Sequence, residues 1–254
     1  MSLPDGNIFQ NRLLAALSAT DFGLIVPYLD TVHLSLRQPL ENAHETIDTV
    51  YFLESGLGSI VAGKECGSSI EVGLFGRDGM SGTSLVLGDT ESPFDCFVQM
   101  SGSAARISSD DLQSVMLQST SFKSLMTRYA RALGIQTTCT AWANAEIKVE
   151  ARLARWILMV DDRTDEDHFR VTHEFLAMML GVRRAGVTVA IKMLEAQCMI
   201  RSEYREIFVL NRHALIALTR GAYGPAEVEY SRLTGITCAN RSFRLDPAPP
   251  LSIV

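Results

Sequence analysis

The feature that most restricts the fold is a change of hydrophobic period near residue 108. From about residue 31 apolar and polar residues alternate, as in TVHLSLR, where Val32, Leu34 and Leu36 share one face. DTVYFLE, SGLGSIVA, SSIEVGLF, SLVLG, DCFVQM and SAARIS follow at short intervals, separated by ESG, GKECGS, GRDG and GDTESP. Period two sends successive side chains to opposite faces of a strand, and glycine-rich breaks are hairpin turns. The run therefore predicts an antiparallel β-roll of jelly-roll type over roughly 31 to 108. Beyond SSDDL, where Ser108 or Ser109 can cap a helix, the period becomes helical and stays so. Strands first and helices after them make the chain α+β.

The helical half divides further. Before the roll, Leu13, Leu14 and Leu17 lie at helical spacing and Pro27 closes the segment, so residues 1–120 read as short helices plus roll. Residues 121–160 contain no proline and can run as one long helix. Met126, Leu133, Thr140 and Ile147 recur in it every seven residues, the spacing of a coiled-coil seam, so they are the expected homodimer interface; a kinked pair of core helices around Gly134 is the alternative. DDRTDEDHF at 161–169 reads as a solvated acidic linker, and the proline-rich 239–254 as a flexible tail.

Between linker and tail lies the segment with chemical content. In MLGVRRAGVTVAIKMLE, residues 179 to 195, an apolar helix carrying Phe175, Leu176, Met179 and Leu180 stops at Gly181, and a second helix begins at once. Glycine takes the left-handed conformation that a sharp helix stop requires. Val187, Ala190, Ile191 and Leu194 then face inward and leave Arg183, Arg184, Thr188 and Lys192 outside. Two short helices joined by a tight glycine turn make a helix-turn-helix, whose second helix enters the DNA major groove by its N-terminal end. An arginine fork there can donate two hydrogen bonds to guanine O6 and N7, while Lys192, Thr172 and His173 suit phosphate. Gly186 costs about 1 kcal/mol relative to alanine inside a helix, which marks it as a place where backbone nears the groove. Residues 199 to 202 and 206 to 210 alternate as a hairpin, a wing that can bring Arg201 or Arg205 to the phosphates.

Charge agrees with this placement. The net charge of −6 conceals an asymmetry: residues 1–167 hold 12 basic and 22 acidic residues, and residues 168–254 hold 11 and 7. The basic excess sits with the helix-turn-helix. Five scattered cysteines lack metal-type spacing and read as reduced. The five histidines never fall at the H-x-H spacing of a metal-dependent β-roll enzyme. A protein-interaction module is the other alternative. With no secretory or membrane-spanning pattern, the expected location is the cytoplasm.

The order of roll, long helix, linker and winged helix-turn-helix resembles the Crp/Fnr family of bacterial transcription regulators. LGVRRAGV, the I-K-x-L-E-x-x-x-x-I run, IFVLNRHAL, YFLESGLGS and EVGLFGRDGMSG carry the likeness. The resemblance implies double-stranded DNA as partner, a homodimer, contact with RNA polymerase and a possible small-molecule effector; no cofactor is identified. Arg184 matches the family's base-reading arginine, Arg183 replaces a small polar residue, and Ala185 stands where a base-contacting glutamate is usual. At the effector pocket Thr83, not glutamate, follows Gly82, and residues 78 to 105 contain no basic residue to meet a cyclic phosphate. Thr137 and Thr138 match the hydroxyls that cyclic AMP-binding members direct at the base. Cyclic AMP in the usual mode is therefore not expected, and no N-terminal cysteine cluster for an iron–sulfur centre exists. A haem-type sensor would need an axial histidine such as His33 or His44, and both read as surface or turn residues.

Overall fold

In the computed structural model residues 9–63, 69–164, 166 and 168–237 are described. The tail 239–254 lies outside them. Asn11 caps α1 (Arg12–Ala15) by accepting the N–H groups of Leu13 and Leu14, and Ser18 caps α2 (Ala19–Ile25). The roll is two antiparallel sheets. One is ordered β1-β7-β3, from β1 (Asp30–Leu34), β3 (Thr49–Leu53) and β7 (Gly102–Ser108). The other is ordered β2-β6-β4-β5, from β2 (Pro39–Glu41), β4 (Leu57–Ala62), β5 (Ile70–Phe75) and β6 (Asp95–Met100). Leu34, Leu53, Phe75 and Val98, inward by the strand period, pack between the sheets. SLVLG is not the expected strand but part of a helix, α3 (Thr83–Leu87), closed at each end by a left-handed glycine, Gly82 (φ 73°) and Gly88 (φ 93°). Five residues pinned between two such turns have no room to extend.

Ser108 caps α4 (Ser109–Gln118), accepting Asp111 N–H at 3.1 Å. The expected single helix 121–160 is two helices, α5 (Thr120–Glu146) and α6 (Val149–Asp161), parted by extended backbone at Ile147 and Lys148. Gly134 causes no break. The turn falls where the chain leaves the roll, because Leu153, Ala154, Ile157 and Leu158 must reach a second core shared with the C-terminal helices.

The seven-residue line on α5 also has another role. Met126 is fully buried and Leu133 is 7% exposed, both in the core that α5 makes with the roll, beside Val50, Phe52 and Met80. Thr140 is half-buried and holds Arg155, and Ile147 is the residue capping the helix end. These four therefore do not form an outward seam. An apolar line shows that something covers a helix, and here the chain's own roll covers it. The outer stripe of α5 is instead Arg131, Gly134, Thr138, Ala141, Trp142 and Ala145, with Trp142 47% exposed.

The acidic linker is not solvated where it begins. Asp161, Asp162 and Arg163 are at most 3% exposed. Arg212 pairs with both aspartates, and the Tyr223 hydroxyl donates to Asp162 at 2.5 Å. Arg163 pairs with Asp78 of the roll at 2.7 Å. Burial pushes the Asp162 carboxyl up to about 6 against the pull of Arg212 and Tyr223. Arg212 starts α9 (Arg212–Leu218), which Asn211 caps, so the N-R-x-x-L ending ties the final helices to the hinge. α10 (Pro225–Thr234) returns to α5, with Tyr230 edge-on to Tyr129 and its hydroxyl donating to Asp78 O at 2.7 Å.

Candidate nucleic-acid interface

Two helices and a three-stranded sheet build the site. Thr172 caps α7 (His173–Leu180) by accepting Phe175 N–H at 3.1 Å. Gly181 ends it at φ 59°, passing its N–H to Met178 O and letting Val182 N–H reach Ala177 O. A Cβ at Gly181 would also lie 2.7 Å from Ile70 Cδ1, so the turn needs glycine both for its backbone and for its seat on β5. α8 (Arg184–Ala196) follows, and Val187, Ala190, Ile191 and Leu194 are buried as the spacing predicts.

The two arginines expected to read DNA are exposed. Arg183 is the N-cap of α8 with no side-chain capping bond, and Arg184 is the first helical residue; both are exposed. Arg184 Nε lies 3.1 Å from Glu174 Oε1, with 67% and 62% of the two side chains exposed. Lys192 is exposed two turns further along the same helix. Thr188 and His173 behave differently. The Thr188 hydroxyl donates to Arg184 O at 3.2 Å and lies 3.1 Å from His173 Nδ1, so this pair joins the two helices to each other. Around Gly186 an added Cβ would meet nothing within 4 Å, so no internal packing asks for glycine there.

The wing is β9 (Ile200–Glu203) and β10 (Glu206–Val209), joined by Tyr204 and Arg205, both at positive φ (48° and 69°). Consecutive left-handed residues match the right-handed twist of a two-residue hairpin. A third strand, β8 (His168–Arg170), which the sequence pattern did not disclose, pairs with β10. The Arg201 guanidinium lies 4.3 Å from the centre of the Phe208 ring and pairs with Glu203 at 3.2 Å. Tyr204, 98% exposed at the tip, escaped sequence reasoning; its signal was the polar S-E-Y-R-E run between two alternating segments.

The four residues expected at an effector pocket lie on two elements, Gly82 and Thr83 at the start of α3 and Thr137 and Thr138 on α5. Gly82 N–H donates to Glu41 Oε1 at 2.6 Å, and a Cβ at Gly82 would sit 2.5 Å from Val50. Thr83 begins α3. Thr137 returns its hydroxyl to Leu133 O, whereas Thr138 is exposed on the outer stripe and returns its own to Gly134 O. Among the described residues no group of three or more His, Cys, Asp or Glu could hold a metal, and no helix is long and apolar enough to cross a membrane.

Comparison with known proteins agrees with this geometry. A family profile described as the Crp-like helix-turn-helix domain matches residues 151–218, from α6 to the end of α9. No curated protein matches the chain in sequence. Among solved structures, a protein from Eubacterium rectale described as a transcriptional regulator of the Crp/Fnr family is similar with a TM-score of 0.64 at 16% identity, covering 82% of this chain and 98% of that one. FixK2 from Bradyrhizobium japonicum gives 0.64 at 14%, covering 75% and 96%. The Xanthomonas campestris regulator CLP, described as c-di-GMP responsive, gives 0.60 at 19%, covering 76% and 99%. The chain thus carries a Crp-like helix-turn-helix domain, a DNA-binding unit, on the fold of the Crp/Fnr transcription regulators.

Proposed function

We propose that this protein is a homodimeric transcription regulator that reads a roughly palindromic operator through α8. One observation carries the reading: Arg183 and Arg184 stand exposed at the N-terminal end of a helix whose opposite face is locked onto α7. Arg184 reads base edges, and Lys192, Arg201, Arg205 and the α7 N-terminus at Thr172 hold phosphates. Two copies pair through the outer stripe of α5, where Gly134, Ala141 and Ala145 allow close approach and Trp142 supplies apolar area. RNA polymerase is a partner by likeness to the family, and the location is the cytoplasm. The protein is not an enzyme. Any effector of the roll is not a cyclic nucleotide bound in the usual way, because Glu41 already occupies the Gly82 N–H and stands where an anion would need a donor.

Selection of bound sequences from random duplex DNA by the full chain tests this. The expected product is an inverted repeat with half-sites one helical turn, about 34 Å, apart. An interaction module would enrich nothing, and its affinity for DNA would not fall with log salt. For the dimer, Ala141→Glu places a charge in the stripe and is expected to give monomers by light scattering; a variant that stays dimeric rejects the stripe.

A further inference from the structure

Arg155 raises a problem of charge. It lies on α6, 6% exposed; its Nε donates to Ala222 O at 2.9 Å and its Nη1 to Thr140 Oγ1 at 3.1 Å. Nη2 is buried without a hydrogen-bond partner, and among the described residues no carboxylate lies within ion-pair distance of it. Glu227 and Glu71 act on it only from further away. A guanidinium does not shed its proton in a protein, so this is a buried cation with an incomplete shell. Three residues earlier, on the same helix face, Arg152 donates Nη2 to Leu180 O and leaves Nε buried without a partner.

Both arginines line one small cavity between β5, α5, α6 and α7, with Glu71, Asn144 and Trp156 among its other walls. The centre of a water-sized body can move through about 20 Å³ of it, so it admits a single small ion together with its contacts. Glu71 is the one carboxylate among the wall residues. Its Oε1 accepts the Trp156 indole N–H at 2.9 Å, and its Oε2 lies 2.6 Å from Ser59 Oγ. Ser59 Oγ is also 2.5 Å from the Gln99 side-chain amide, whose nitrogen has no other partner. With the amide turned to donate to Ser59, the serine hydroxyl donates to Glu71. Burial pushes the Glu71 carboxyl up to about 7. Two guanidiniums therefore face at most one carboxylate.

We propose that this cavity binds one small monovalent anion, chloride in the cell, held by Arg152 and Arg155 with the side-chain amide of Asn144 as a further donor. A water would satisfy the N–H groups and leave the charge unbalanced; a halide does both. The cavity wall includes Met179 and Leu180, the last residues before the Gly181 turn, and β5 of the roll. The ion thus joins the roll to the helix pair, and the proposal does not depend on what that pair binds.

Bromide is the probe. A crystal of the full chain grown or soaked in bromide is expected to show an anomalous peak in this cavity. Bromide at surface positions alone, an adventitious ion only, or a water without anomalous signal at the cavity overturns the proposal. In solution, Tm is expected to rise by about 2–4 °C when bromide replaces a bulky organic sulfonate at equal ionic strength. Equal Tm in the two salts would refute a fitted site. Arg152→Gln, at a half-buried position, is expected to fold and to lose both the peak and the salt preference; a variant that keeps them refutes the role of Arg152. Because the crystal and Tm measurements use the unaltered chain, failure of any variant to fold leaves the proposal testable.

Discussion

The hinge and the reading head both rely on arginine, under opposite conditions. At the hinge, Arg163 and Arg212 are consumed by Asp78, Asp161 and Asp162, all at most 3% exposed on the acidic side. At the head, Arg183 has no capping bond and Arg184 meets only Glu174, with both side chains more than half exposed. An exposed pair of that kind is worth a fraction of a kcal/mol, so a base edge or phosphate can displace it. Buried pairs are different: their carboxylates, out of water, would be left uncompensated if the arginine were lost. The same residue type fixes domain geometry in one place and stays available to a ligand in the other.

The largest test of that contrast is Arg212→Met. It leaves Asp161 and Asp162 without their cation and is expected to cost about 3–5 kcal/mol, a fall in Tm of roughly 10 °C, read by calorimetry. Sequence preference for DNA, measured while the variant is folded, should not move. A loss under about 1 kcal/mol, the range of an exposed pair, would place the hinge in the same class as the head.

Next is Glu71→Gln, a test of burial without an ion pair. An unfolded glutamate ionises near 4.5, whereas Glu71 in the folded chain holds its proton up to about 7, chiefly through burial. Between those values ionisation favours the unfolded chain, so stability falls as pH rises from 4.5 to about 7 and is level above. The gap amounts to about 3 kcal/mol. Glutamine, neutral at every pH, should remove that slope and leave the variant more stable than the parent at pH 8. Asp162, raised to about 6, acts in the same direction and should keep its own smaller share of the slope. Denaturation curves that keep the full slope in Glu71→Gln would show that Glu71 is ionised in the folded chain.

At the head, Arg184→Ala is expected to cost about 1–3 kcal/mol of discrimination between the operator and a single-base variant, with Tm unchanged. Unchanged discrimination by fluorescence anisotropy would remove Arg184 from the base contacts.

These contrasts were legible in the sequence to different degrees. The period change at 108, a serine cap at 108 or 109, the stop at Gly181 and the inward set Val187, Ala190, Ile191 and Leu194 were all readable, because each depends on residues a few positions apart. Met126 and Leu133 were read as apolar and in line, yet nothing local says whether a second copy or the chain's own roll covers them. Asp161 and Asp162 looked solvated because their partners, Arg212 and Tyr223, are some 50 and 60 residues away. The seat of Gly181 on Ile70 and the burial of Arg155 are likewise long-range facts. α10 had a local signature, Pro225 at its start, Glu227 returning to Gly224 N–H, and Gly235 at its end, but its docking on α5 had none.

The smallest effect, and the one that divides folding from reading most finely, belongs to Gly186. In the free chain the position offers open space, so Gly186→Ala should stabilise α8 by up to about 1 kcal/mol. If glycine is there only by tolerance, operator affinity will stay level or improve with the firmer helix. If the backbone approaches the groove at this turn, the methyl group meets the DNA and affinity falls while Tm rises. The expectation is the second outcome, since no neighbour within the chain requires glycine and a penalty without an internal cause points to an external one. Tm and anisotropy measured on the same preparation decide it, and an unchanged dissociation constant beside a raised Tm would reject close approach.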